Sequence, residues 1–322
     1  MRVLAVTNMF PSSRTPRAGT FIEQQVVGLR ALGFDVEVLL VDRAGRGPLR
    51  YARTGPMVRR TLDRGRWDVL HVMYGGVMAD LATRRDPGVP TVVSFCGVDL
   101  LGAGYGSWRY RLRTRLGVRA SYRTARRADA IIVKSRNLRR GLPADVDRSR
   151  VFIVPNGVSL ERFRPMDRAA CRARLGWEQG VVHVLFSTAR RDSLKKRYEL
   201  AEAAVRELGR RGVRVELHGL SDVPHAEVPV WINGSDVLLF TSRADEGSPN
   251  IVKESLACNL PVVTVDALEV DDTTPALTGT VDEPAASIQI MWTGATTRRP
   301  TTATRDRGAR GTRWTSRPAM VL

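Results

Sequence analysis

The stretch Arg2-Val-Leu-Ala-Val6, followed by a helix-length segment over 20–32 and then by Val36-Glu-Val-Leu-Leu40, reads strand, helix, strand. The first run is apolar after Arg2 and the second carries one charge, the pattern of a parallel sheet covered on both faces. Phe21, Val26, Leu29 and Leu32 fall on one stripe of the intervening segment, and Gly33 stops it. Outward along the chain, Asp68-Val-Leu-His-Val72, Thr91-Val-Val-Ser-Phe95, Ala130-Ile-Ile-Val133 and Val151-Phe-Ile-Val154 repeat the strand pattern. This alternation predicts a doubly wound α/β domain over 1–163.

A second series follows Arg164-Pro165. Strands are expected at 181–186, 213–217, 236–240 and 261–265, with helices at 197–208 and 250–258. The polar, arginine-rich residues 164–178 read as the linker. The predicted architecture is two Rossmann-like α/β domains facing a cleft, the second over 164–266 and incomplete. From Ala267 the composition changes: twelve threonines fall in 267–322, as many as in the 266 residues before, and periodicity is lacking outside 287–292. Residues 267–322 are expected to be a divergent, disordered tail. The abrupt step suggests that the reading frame departs from its ancestral course near Ala267. Translation of the same DNA in the other two frames checks this, and absence of a β-α pattern there refutes it.

The 322 residues include 43% hydrophobic and 26% charged residues, enough apolar matter for sizeable cores and against wholesale disorder. No apolar run approaches the roughly 20 residues of a membrane span, and no leader is read at the start, so a cytoplasmic protein is expected. Cys96, Cys171 and Cys258 are scattered and form neither a disulfide framework nor a CxxC knuckle. The net charge of +18 comes from 47 arginines and only four lysines, a bias that gene composition explains as well as function does. One segment stands apart: residues 109–140 carry twelve basic side chains against the single acid Asp129. That patch would suit an anionic membrane surface, an acidic acceptor or nucleic acid, or be a solvated helix face. Trp108, Tyr110 and Tyr122 beside it are too few for a base-stacking platform and read as core packing, which speaks against a nucleic-acid partner for the patch.

The chemistry concentrates in Asp245-Glu-Gly-Ser-Pro-Asn-Ile-Val-Lys-Glu-Ser-Leu-Ala-Cys-Asn-Leu-Pro-Val-Val263. Ser248 is expected as N-cap and Pro249 as first helical residue, so amides at this helix start suit a diphosphate or sugar hydroxyls. Glu246 and Glu254 lie eight positions apart and can serve different parts of one nucleotide sugar. On residue types alone, Glu246 equally favours the positive helix end and Glu254 equally pairs with Lys253 or Arg243. His71, His183, His218 and His225 show neither HxxxH nor HExxH spacing and read as structural, so no metal site is expected. Gly102-Ala-Gly-Tyr-Gly106 lacks the third glycine of a dinucleotide fingerprint.

The spaced glutamates, with Gly247-Ser-Pro-Asn250 between them and Leu256-Ala-Cys-Asn-Leu-Pro-Val-Val263 after them, resemble the signature of retaining family 4 glycosyltransferases of GT-B fold. Ala18-Gly-Thr-Phe21, Ala128-Asp-Ala-Ile-Ile-Val-Lys-Ser135, Val154-Pro-Asn-Gly-Val158 and Phe163-Arg-Pro165 extend the resemblance over residues 1–266. It implies transfer of a sugar from a UDP- or GDP-linked donor to a saccharide, lipid-linked or small-molecule acceptor, with no further cofactor. It also implies that Glu246 binds donor-sugar hydroxyls and Glu254 the ribose, with Gly247, Ser248, Pro249 and Asn250 lining the donor. An arginine and a lysine five apart would neutralise the diphosphate. Arg190 with Lys195 and Arg191 with Lys196 both fit, the second register preferred because Lys196 opens a helix in the family manner. Gly19 would let backbone approach the diphosphate or acceptor. In Phe95-Cys-Gly-Val-Asp-Leu100, Cys96 stands where the family commonly has histidine, and a thiol does not replace a charged imidazole donor. Asp99 is read either as a substrate-orienting acid or as a helix cap. The resemblance implies front-face displacement without an enzyme base; the rival reading is an inactive donor-binding remnant.

Overall fold

The computed structural model describes residues 1–11, 18–41, 51–187, 196–221, 223–242 and 249–264, and the backbone of two short strands beyond them. The chain forms two compact units, the first Met1–Gly157 and the second opening at Val158. The first contains β1 (Arg2–Thr7), α1 (Thr20–Ala31), β2 (Asp35–Leu40), α2 (Thr54–Asp63), β3 (Val69–Val72), α3 (Val77–Ala82) and β4 (Thr91–Phe95). It continues through α4 (Val98–Leu101), α5 (Trp108–Arg127), β5 (Ala130–Val133), α6 (Arg136–Arg140) and β6 (Val151–Ile153). The six strands make one parallel sheet in the order β2-β1-β3-β4-β5-β6.

Strand β1 shows why the apolar runs are unbroken. Leu4 and Val6 enter the cluster with Leu70, Val72, Val93, Phe95, Ile131 and Val133, whereas Val3 and Ala5 pack with Ile22 and Val26 of α1. Both faces of the strand are therefore sealed, and each large aliphatic side chain so buried contributes about 1.5–3 kcal/mol. Such a sheet offers ligands its carboxyl edge, where the loops after β1, β3, β4 and β5 emerge.

The second unit holds α7 (Arg168–Leu175), β7 (Val182–Phe186), α8 (Tyr198–Arg210), β8 (Val215–Gly219), α9 (Val228–Gly234), β9 (Val237–Phe240), α10 (Asn250–Ala257), β10 (Val262–Thr264), β11 (Thr280–Val281) and β12 (Ile288–Met291). Its sheet order is β11-β12-β10-β9-β7-β8, with β7 to β10 parallel. Strand β12 pairs antiparallel with β10, Val262 opposite Met291, and β11 adds to β12. Two sequence expectations change here. The 267–322 segment supplies two strands to the sheet, only one of them at the 287–292 exception; the rest of it lies outside the described residues.

The supposed linker 164–178 contains α7. Its Arg172 is only 5% exposed, because Nε donates to the Gly234 carbonyl at 2.9 Å and NH2 reaches Asp236 Oδ2 at 2.6 Å. Arg168 holds the other oxygen of Asp236 at 2.8 Å, and the His183 amide also donates to Asp236. A charged residue thus occupies an interior position that apolar periodicity does not reveal.

Candidate functional site

In the first unit the resemblance motifs meet at the carboxyl edge of the sheet. Gly19 is the N-cap of α1 in the left-handed conformation, φ 75°, and its carbonyl accepts from the amides of Ile22 and Glu23. A Cβ there would stand 2.4 Å from the Met9 carbonyl oxygen, so the glycine is demanded by the chain's own β1–α1 loop. One turn into α1, Gln25 donates to the Asn156 carboxamide oxygen, and its own carbonyl oxygen accepts from Lys134 Nζ at 3.4 Å. Lys134 is 3% exposed, and burial lowers its pKa while Cys96 and Asp99 nearby oppose that. The sequence counted Lys134 among the twelve basic residues of 109–140; the signal that it is interior was a lysine directly following an apolar strand.

Asp99 is buried at the start of α4. Its carboxylate accepts from the amides of Gly75 at 2.9 Å, Cys96 at 3.1 Å and Gly97 at 2.7 Å, while its own carbonyl accepts from the Ser121 hydroxyl. Asp99 thus lies inside α4, two residues past its N-cap Gly97, and its carboxylate reaches back to amides before the helix and to the loop after β3. Burial raises the Asp99 pKa, and the three amides oppose the rise. Burial also pushes the Cys96 thiol well up, with the Asp99 charge adding to it, so Cys96 stays protonated at neutral pH. His71 hydrogen-bonds Ser94 Oγ at 2.8 Å and is lowered to about 4 by burial and then by Lys134.

The basic segment divides on inspection. Arg123 and Arg127 bind the buried Asp80, each at 2.6 Å, and tie α5 to α3; Arg126 pairs with Asp145, and Lys134 is interior. The amino-terminal half of α5 differs. Trp108, Leu112 and Leu116, spaced by four, are 64%, 50% and 50% exposed, so Trp108 is no core residue, contrary to the sequence reading. Exposed arginines 109, 111, 113, 115 and 119 flank that stripe.

In the second unit, α10 begins at Asn250 with Pro249 in the capping position and no side-chain cap bond, one residue later than expected. Glu254 is 7% exposed, and its Oε1 lies 3.7 Å from His225 Nε2. His225 Nδ1 contacts the Arg162 guanidinium at 2.9 Å and its ring meets Phe163 edge-on at 5.8 Å. Because a guanidinium only donates, Nδ1 accepts, and the remaining Nε2–H is turned toward Glu254. The sequence read His225 only as structural and did not single out Arg162, although Arg162 adjoins the Phe163-Arg-Pro165 motif.

Lys196 precedes α8, its Nζ 5.1 Å from the centre of the Phe240 ring at the end of β9. Arg197, the α8 N-cap with φ 52°, donates to the Thr241 carbonyl at 2.6 Å. Arg197 thus pins the start of α8 to the carboxyl end of the strand that leads toward α10. Arg190, Arg191, Lys195, Glu246, Gly247 and Ser248 lie outside the described residues.

His183 and His218 are not isolated. They lie on neighbouring strands with their ring nitrogens 2.8 Å apart, and Trp177 stacks on both.

Residues 18–162 match the family model Glycosyltransferase Family 4. Over these residues the chain is similar to glycosyltransferase family 4. A D-inositol 3-phosphate glycosyltransferase of Geodermatophilus obscurus is 33% identical over 150 residues, which are 45% of this chain and 32% of that protein. The chain thus spans about a third of that relative's length. Among solved structures, sucrose-phosphate synthase of Thermosynechococcus elongatus superposes with a TM-score of 0.62 at 16% identity, over 82% of this chain and 81% of that one. Anabaena HepE, solved in complex with UDP and glucose, gives 0.53 at 16% identity over 81% and 80%. These likenesses establish the GT-B fold for the chain.

Proposed function

We propose that this chain transfers a sugar, with retention, from a nucleoside diphosphate sugar to a hydroxyl acceptor in carbohydrate biosynthesis. The observation that carries the reading is Glu254: a buried carboxylate inside α10, the helix that follows β9 at the carboxyl edge of a parallel sheet. Glu254 would accept from the ribose hydroxyls, with the His225 ring beside it. Glu246 would bind the donor sugar, and Gly247, Ser248, Pro249 and Asn250 would line the diphosphate. Arg191 and Lys196, or Arg190 and Lys195 in the other register, would neutralise the departing diphosphate. Asp99 is a positioning residue here, holding the loops after β3 and β4 in place. HepE binds UDP and glucose, which makes UDP the first nucleotide to try, and the name of the 33% identical relative makes an inositol phosphate the first acceptor.

Calorimetric titration of the folded chain with UDP, GDP and ADP, repeated on Glu254→Ala, tests the donor site. One nucleotide should bind, and the substitution should weaken it about 10- to 100-fold. Silence from all three would leave an ancestral scaffold without a donor site. Retention is read separately, from the anomeric configuration of the product.

We also propose that α5 rests on an anionic membrane surface. Trp108, Leu112 and Leu116 would enter the headgroup boundary while the flanking arginines meet lipid phosphates. Among the described residues no helix is long and apolar enough to cross a membrane. Sedimentation should carry the chain down with vesicles containing anionic lipid and less with neutral ones, and Trp108→Ser with Leu112→Ser should release it. Equal partitioning to both vesicles would refute the electrostatic part.

A further inference from the structure

At the outer edge of the second sheet, three side chains with lone pairs converge. His183 on β7 pairs in register with Glu216 on β8, and Leu185 with His218, so His183 and His218 meet diagonally across the two strands. His183 Nδ1 lies 2.8 Å from His218 Nε2 and 3.7 Å from Glu216 Oε2, and the same Glu216 oxygen lies 3.5 Å from His218 Nε2. A point in the plane of these three atoms is about 2 Å from each of them, which is the bond length zinc takes to imidazole nitrogen and carboxylate oxygen.

Two further features prepare the donors. His183 Nε2 contacts the Glu178 carbonyl at 2.8 Å; a carbonyl only accepts, so Nε2 carries the proton and Nδ1 presents its lone pair. A backbone carbonyl on the remote ring nitrogen is the outer support that metal-bound histidines ordinarily have. Trp177 fixes the rings, stacking on His218 at 3.7 Å and on His183 at 4.8 Å between centroids. His183 is fully buried, whereas Glu216 is 54% exposed on its side chain, so an ion could enter from solvent and keep water in its fourth position.

We infer that His183, Glu216 and His218 form a site for one divalent transition metal, zinc by the chemistry of its donors. The ion takes its place between the two rings, substituting for the direct His183–His218 hydrogen bond. It sits near the amino end of β7, whereas α10 follows the carboxyl end of the parallel strand β9, so it lies away from the proposed nucleotide site. Its role is to fasten β8, the edge strand, to β7 and to the Trp177 segment.

The test uses the full chain, prepared without a polyhistidine tag, loaded with zinc, dialysed free of excess and assayed by elemental analysis. About one zinc per chain is expected, and loading should raise Tm by at least about 4 °C. His218→Asn should abolish stoichiometric binding, and Glu216→Gln, a change at an exposed side chain that leaves folding intact, should weaken it at least about tenfold. Cobalt in place of zinc should give the visible absorption of a four-coordinate ion in the wild type and lose it in either variant. A folded wild type that retains no zinc overturns the inference, as does zinc held equally by the wild type and Glu216→Gln. Neither result depends on nucleotide binding.

Discussion

Gln25 Nε2 donates to Asn156 Oδ1 at 3.0 Å, joining the first helix of the chain to the end of the first unit across 131 residues. The same carboxamide accepts from the buried Lys134, so segments after β1, β5 and β6 share one side chain. Gln25→Leu should therefore cost about 1–3 kcal/mol, mostly from the desolvated partners it leaves behind. Gln25→Glu, which keeps an acceptor for Lys134, should cost less. Urea unfolding of both variants decides it, and equal losses would mean that the bond to Lys134 contributes nothing.

Asp80 is buried and receives both Arg123 and Arg127. Burial alone would raise its pKa, but the two guanidinium groups outweigh that and lower it. Those arginines are 53% and 35% exposed on their side chains, so solvent screening discounts the pairing. Asp80→Asn is expected to cost roughly 1–2 kcal/mol. Hydrogen exchange should show faster opening of the last turns of α5 than of the sheet.

His71 sets a pH dependence. Its folded pKa is about 4 against an ordinary 6.5, so between these values the unfolded chain takes up a proton that the folded chain refuses. Its contribution is present above pH 6.5 and is lost as pH falls toward 4, with a total of about 3 kcal/mol at most. His71→Gln should flatten the stability profile in that window, as followed by chemical denaturation at successive pH values. An unchanged slope would contradict the assignment.

Gly19 and Gly33 both have positive φ, yet their surroundings differ. A Cβ on Gly19 strikes the Met9 carbonyl, whereas one on Gly33 meets nothing within 4 Å. Gly33→Ala should cost about 1 kcal/mol from conformation alone, and Gly19→Ala more than about 2 kcal/mol. Thermal melts of the two variants should separate clearly.

Strand β1 was legible because both of its faces are sealed, so Leu4 and Val3 point opposite ways and are equally apolar. Helix α7 was hidden because Arg172, an interior residue, carries a charge neutralised by Asp236, 64 positions later. His183 and His218 escaped a search for helical spacings because strand pairing, which sequence does not state, brings them together. The fitting signal was Glu216-Leu-His218, two ligand types on one face of a strand. Glu254 was recognised through its motif, but the imidazole facing it comes from a segment with no motif of its own.

The Asp99 carboxylate gathers amides from the loops after β3 and β4 into one rigid turn. Those loops lose their freedom when the protein folds, before any ligand arrives. A molecule docking on that edge would meet a preorganised surface, so its association should proceed without a slow ordering step and with little conformational entropy opposing it. Specificity there would then change by altering the side chains the turn displays, leaving the turn itself as a fixed frame.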